Sequence, residues 1–168
     1  MFTRIMTFHQ VMPEFLDFVS VFGTADNSRS LRFSAFKQQS TLSSTLALTG
    51  MGDLRRSVER YQLCYNLRAV SRRRDPANMW GINMRPLQAA FHHQFDVHTS
   101  HALWIIAKGD LAMRQRINSK MSELRYGTAV ECFKSSLDVH LIHCRWATEG
   151  WTWYLQWWED KLQNEVNT

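Results

Sequence analysis

The clearest hydrophobic pattern in the chain runs over residues 87–109, LQAAFHHQFDVHTSHALWIIAKG. Ala89, Phe91, Phe95 and Val97 fall at even spacings, and Ala102, Trp104 and Ile106 do the same after a polar stretch. A period of two marks a half-buried strand, so this segment predicts a β-hairpin with His98, Thr99, Ser100 and His101 at its tip. Residues 61–70, YQLCYNLRAV, alternate Tyr61, Leu63, Tyr65 and Leu67 with Gln62, Cys64, Asn66 and Arg68. They predict a second strand, with the Gln62 to Arg68 side as its wetter face.

Helical periods flank these strands. Phe15, Phe18, Val19 and Phe22 lie at i, i+3, i+4 and i+7 between Met12 and a stop at Gly23, with Pro13 where a first turn tolerates it. Leu31, Phe33 and Ala35 suggest a short strand, and residues 37–52, rich in Ser, Thr and Gly, read as a long connection. Residues 71–78, SRRRDPAN, read as a charged loop because Pro76 blocks a helix or a central strand. Asp110 is a predicted N-cap for a helix with Met113, Ile117, Met121 and Leu124 on one side.

The stretch from about residue 127 to 166 has no proline and a seven-residue repeat. Val130, Leu137, Cys144, Trp151 and Trp158 form one line, with Leu141, Leu155 and Leu162 on the adjacent stripe. The expectation is a long helix or a helical hairpin, with a break near residues 147–150 because Gly150 is costly inside a helix. The fold class is α+β: a small antiparallel or mixed sheet around the central hairpin, packed by helices. Residues 1–126 form the globular core, and 127–168 pack on it or project from it.

Composition narrows the function classes. With 45% hydrophobic and 21% charged residues over 168 positions, the chain is globular rather than disordered, and long enough to bury about two thirds of its unfolded surface. No window reaches the roughly 18 apolar residues of a membrane span, and the N-terminus lacks the pattern of a signal peptide. Cys64, Cys132 and Cys144 sit among apolar neighbours without CxxC spacing, so buried free thiols in a reducing compartment are expected. A net charge of +5 favours anionic partners, yet the arginines are scattered. A nucleic-acid footprint would use Arg55, Arg56, Arg72, Arg73 and Arg74; the reading of a solvated surface is preferred to it.

Seven histidines invite a metal reading, with His98, His101, His140 and His143 as candidates for Mg²⁺ or Zn²⁺. His92 and His93 are adjacent on a strand and point to opposite faces. His140 and His143 lack the carboxylate partner of a zinc hydrolase motif. No catalytic residue emerges either: there is no GxSxG elbow, no P-loop, and no base beside a candidate nucleophile. The expectation is no enzyme, no cofactor and no metal.

Five of the seven tryptophans lie within residues 146–158. Acidic Glu149, Glu159 and Asp160 argue against a nucleic-acid platform there. A membrane-interface belt is a second reading. Core packing through Trp151, Tyr154 and Trp158 is the favoured one, with Trp153 and Trp157 left on another face for a partner. Trp151, Trp153, Trp157 and Trp158 are therefore the candidate interaction residues, for a protein partner or for self-association.

The blocks YQLCYNLRAV, MWGINMRPLQAAFHHQFDV, LWIIAKG and CRWATEGWTWYLQWWEDKLQ, preceded by MPEFLDFVSVFG and LRFSAF, resemble in order and spacing the amino-terminal soluble domain of fungal CorA-like transporter domain proteins. The resemblance implies a cytoplasmic α+β domain, at the inner face of a membrane, whose last helix leads to the membrane part of a longer parent chain. This sequence stops at Thr168 without a Gly-Met-Asn pore signature, so the expected role is a non-enzymatic regulatory or interaction domain. A nucleic-acid module and a metal sensor are the alternatives.

Overall fold

In the computed structural model the residues described are 2–22, 35–42, 59–74 and 82–167. Helices α1 (Phe2–His9) and α2 (Phe15–Ser20) precede strands β1 (Phe36–Ser40), β2 (Arg60–Arg74), β3 (Ile82–Asp96) and β4 (His101–Ala107). Helices α3 (Leu111–Met121), α4 (Ala129–Thr148) and α5 (Trp151–Val166) complete the chain. The strands form one antiparallel sheet in the order β1-β2-β3-β4, so the fold is α+β.

Two layers of helix cover the two faces of this sheet, which explains why β3 is buried on both faces and not only at its alternating apolar positions. On one face Met6, Val11, Met12, Phe15 and Phe18 of the α1–α2 region cluster with Cys64 and Ala90. On the other, Met113 of α3 and Trp146 of α4 cluster with Ala69, Ala89 and Phe91. Ala89, Ala90, Phe91, His92 and His93 are therefore all buried, as expected for a strand enclosed on both sides. Pro86 is tolerated because it lies beyond Ala90, the last β3 residue paired with β4, where one side of the ladder is open.

The hairpin forms, but its turn starts one residue earlier than the alternation predicts: Val97 belongs to the turn and is exposed, and His101 opens β4. His93 faces Trp104 and Phe91 faces Ile106 across the ladder, and residues 97–100 make the turn. Asp96 Oδ1 accepts from the Thr99 N–H at 2.8 Å and steadies that turn. Asp110 caps α3 by accepting from the Met113 N–H at 2.8 Å. Thr128 and Glu131 form a capping box at the start of α4.

Several expectations are corrected. The first strand is β1, Phe36–Ser40, inside what reads as a connection; Leu31 and Phe33 lie outside the described residues. An FKQQS strand carries no alternation because all five residues are exposed at a sheet edge. Strand β2 continues through Ser71 and Arg72 to Arg74, where a charged loop is expected, because its backbone pairs with β3 as far as Arg74↔Ile82. Its supposedly wetter face is the drier one: Gln62, Cys64 and Asn66 are buried, Cys64 in the α1–α2 cluster, Gln62 Oε1 accepting from the Met12 N–H at 2.9 Å and Asn66 Oδ1 from the Ala35 N–H at 2.9 Å. Leu124 falls outside α3.

The break between α4 and α5 falls at Glu149 and Gly150. Gly150 adopts a left-handed φ of 82°, and a Cβ there would stand 2.8 Å from the Val70 carbonyl oxygen. Glycine is needed here both for its backbone freedom and for its lack of volume. Trp151 Nε1 donates to the Ala147 carbonyl at 2.7 Å across the break.

Candidate functional site

The sheet face beneath α4 carries a polar cluster assembled from four elements. Tyr61 and Tyr65 come from β2, His93 from β3, Trp104 from β4, and His140 and His143 from α4. His93 and Trp104 meet because they are cross-strand partners, and their rings stack 4.2 Å apart. Residues three apart share a helix face, so α4 presents His140 and His143 together to the sheet. Trp104 touches both, at ring separations of 4.4 and 5.0 Å.

These side chains form a continuous hydrogen-bonded chain. Tyr65 Oη lies 2.7 Å from His140 Nδ1 and 3.1 Å from His143 Nδ1. The far side of His140, Nε2, stands 3.0 Å from His93 Nδ1, which is also 3.3 Å from Tyr61 Oη. A neutral imidazole has one donor and one acceptor nitrogen, and a phenol has one proton to give. The chain therefore has a direction. In one arrangement His143 donates to Tyr65, Tyr65 to His140, and His140 to His93. Shifting every proton along reverses it.

Either way the two ends are left over. His93 Nε2 and His143 Nε2 are buried without a hydrogen-bond partner among the described residues, as is Trp104 Nε1. One end carries a lone pair and the other an N–H, an uncommon arrangement for buried polar atoms.

Burial sets the electrostatics. Burial, with a smaller contribution from the neighbouring rings, lowers His93 and His143 to about 3, and burial lowers His140 to about 4. Burial also raises Tyr65 and Tyr61 above the usual phenol value. Among the described residues no carboxylate acts on these three histidines to offset a positive charge. The cluster is thus a neutral network at ordinary pH, with neither an activated nucleophile nor a charged base.

His92 is buried on the opposite face, as strand geometry requires. Its Nε2 lies 3.1 Å from Gln62 Oε1, its ring packs on Phe15, and burial lowers it to about 4. His98 and His101 stand exposed at the hairpin end. They are not joined to His140 and His143. Among the described residues no group of three or more His, Cys, Asp or Glu side chains is placed to hold a metal ion. Arg72, Arg73 and Arg74 belong to β2, whereas Arg55 and Arg56 lie outside the described residues. Burial holds the Cys64 thiol up to about 12, but Cys144 is exposed rather than buried.

The second candidate is α5, and here core packing fails as the explanation of the tryptophans. No residue of α5 is buried. Trp153 is 64% exposed and Trp158 43%, while Trp151 and Trp157 are half-buried. The heptad line survives as a surface feature: Leu137, Leu141, Cys144, Leu155, Trp158 and Leu162 are all exposed. Helix α4 docks through a different set, Ser135, Ser136, Val139, His143 and Trp146. On α5 the aromatic rings pack on one another, with Tyr154 stacked on Trp157 at 6.2 Å and Lys161 Nζ 4.4 Å from the Trp157 ring centre.

Sequence reasoning finds α5 from composition but misses the assembly of Tyr65, His93, Trp104, His140 and His143. The available signal is the pair of helical histidines opposite an alternating Tyr61 and Tyr65. No helix among the described residues is long and apolar enough to cross a membrane. The model of a family described as CorA-like transporters matches residues 1–168. No curated protein and no solved structure matches the chain.

Proposed function

Because the chain belongs to the CorA-like transporter family, we propose that it acts as a regulatory and interaction domain of such a protein, on the cytoplasmic side of a membrane, rather than as its conducting part or as an enzyme. The observation that carries this reading is the exposed apolar line on α4 and α5. Leu141 on α4 is 63% exposed; on α5, beyond the break at Gly150, Leu155 is 59% exposed and shares a helix face with Trp158 and Leu162 at i, i+3 and i+7. Such a spacing is the pattern by which one helix packs against another of the same pitch. Aromatic anchors at spaced positions are what a helix offers to a partner. The favoured partner is a second copy of the chain, with Trp153 and Trp157 flanking the contact.

Light scattering over a wide concentration range tests the reading. The expected result is a mass that rises with concentration, with association weakened tenfold or more by Trp158→Ala and by Leu155→Ala, since loss of an interface anchor costs about 2 kcal/mol. A particle that stays monomeric at every concentration, shows no change with either substitution and ignores liposomes would overturn it. Binding to liposomes without self-association would replace the second copy by a membrane surface.

A further inference from the structure

We propose that the His93–His140–Tyr65–His143 chain is a proton-operated latch that holds α4 on the sheet and releases it on acidification. This is independent of what α5 binds.

The argument starts from how α4 is held. Of its five buried residues only Val139 and Trp146 are apolar; the others are Ser135, Ser136 and His143. Ser135 is committed to the Arg125 backbone, accepting its N–H at 3.1 Å and donating to its carbonyl at 2.7 Å. Ser136 donates to the Phe133 carbonyl at 2.7 Å within the helix. The polar attachment of α4 to the sheet runs through His140 and His143 onto Tyr65 and His93, with Ser136 also hydrogen-bonded to Tyr61. Its apolar hold comes from Val139, from Trp146 against Phe91 and from part-exposed Phe133 edge-on to Tyr61 and Phe95, and the histidine attachment is the part of the docking that protons can remove.

Protons act directly on that attachment. The titratable groups facing it are Tyr61 and Tyr65 from β2, His93 from β3, and His140 and His143 from α4, while His92 acts on His93 from the other face of β3 and β4 contributes Trp104. Cys144, beside His143, acts on Tyr65. A first proton can be passed along the chain, but nothing anionic among the described residues compensates its charge. A second meets a geometric conflict. When His93 and His140 are both protonated, two N–H donors face each other across 3.0 Å with no acceptor between them. Released into water, all three rings regain ordinary basicity, so opening takes up to three protons together.

Hydrogen exchange of the α4 amides, corrected for the intrinsic rate, tests this on the full chain between pH 7.5 and 5. The expected open population of α4 grows steeply below pH 6.5, by as much as about a thousandfold per pH unit for three protons. The β2–β3 amides stay protected over the same range. His143→Leu removes one proton site and lowers the slope to about a hundredfold per unit, whereas His98→Gln at the exposed turn leaves it unchanged. If the His143 variant fails to fold, the wild-type exchange slope of α4 decides by itself. Protection of α4 that is flat with pH, or lost only together with β2 and β3, would overturn the latch.

Discussion

His93 and His140, 47 residues apart in sequence, meet nitrogen to nitrogen at 3.0 Å between the sheet and α4. The contact exists because β3 is buried on both faces and α4 turns a polar side toward one of them. It places two groups that titrate near neutrality in water where neither carries charge.

Tyr65 is the hinge of this network, since its hydroxyl is shared by His140 and His143. Tyr65→Phe keeps the ring, stacked on Phe91 at 5.1 Å, and removes only the bridging oxygen. Two imidazole nitrogens then lose their partner, so the variant should be less stable by about 1–3 kcal/mol. Urea unfolding with an unchanged m-value checks this, because the loss concerns a contact rather than compactness.

Stability should fall with acid well before the carboxylates titrate. The folded-state values of His92, His93, His140 and His143 lie at about 3 to 4, below the ordinary 6.5 that the unfolded chain regains. Between these values the unfolded state binds more protons. The stabilisation is thus complete above pH 6.5 and is lost as pH falls toward 4, each ring costing up to about 1.4 kcal/mol per pH unit. Thermal unfolding at pH 7.5, 6.5, 5.5 and 4.5 should show a flat upper range and an accelerating drop below it. His92→Gln should shallow the drop; a melting temperature indifferent to pH over this span would contradict the assignment.

Gly150 fixes the angle between α4 and α5, and through it the direction in which the tryptophans point. Gly150→Ala places a methyl group against the Val70 carbonyl and forces an L-residue into a left-handed backbone. A loss of about 1–3 kcal/mol is expected. The conservative control is Gly109→Ala, where the added carbon meets only the side chains of Ile106 and Met113 at 3.0 and 3.1 Å. Denaturant midpoints of the two variants give the comparison, with Gly150→Ala the more damaging.

The sequence by itself determined those features whose signals are local. Alternation at Ala89, Phe91 and Trp104 marks the hairpin, Asp110 caps α3 with its own side chain, and Gly150 ends α4 because glycine costs helix and adopts a left-handed backbone without strain. Each is set by a few neighbouring residues, so it is written within a short window. The sheet was less legible where burial comes from elsewhere. Gln62, Cys64 and Asn66 look like a wet face until the α1–α2 region covers the first two and Ala35 takes up the third.

Only the tertiary structure decided which side of α4 is core. Two stripes compete on that helix, and the more apolar one, through Leu137 and Leu141, is exposed, while Ser135, Ser136 and His143 turn inward. Hydrophobic period cannot foresee this, because a polar stripe is buried when the opposite surface supplies its hydrogen bonds. Here that surface is the β2–β3 pair, which aligns Tyr65 with Phe91 and leaves His93 two residues along the same face. The histidine cluster follows from that register and from the docking of α4, neither of which is encoded near His93 or His140 alone.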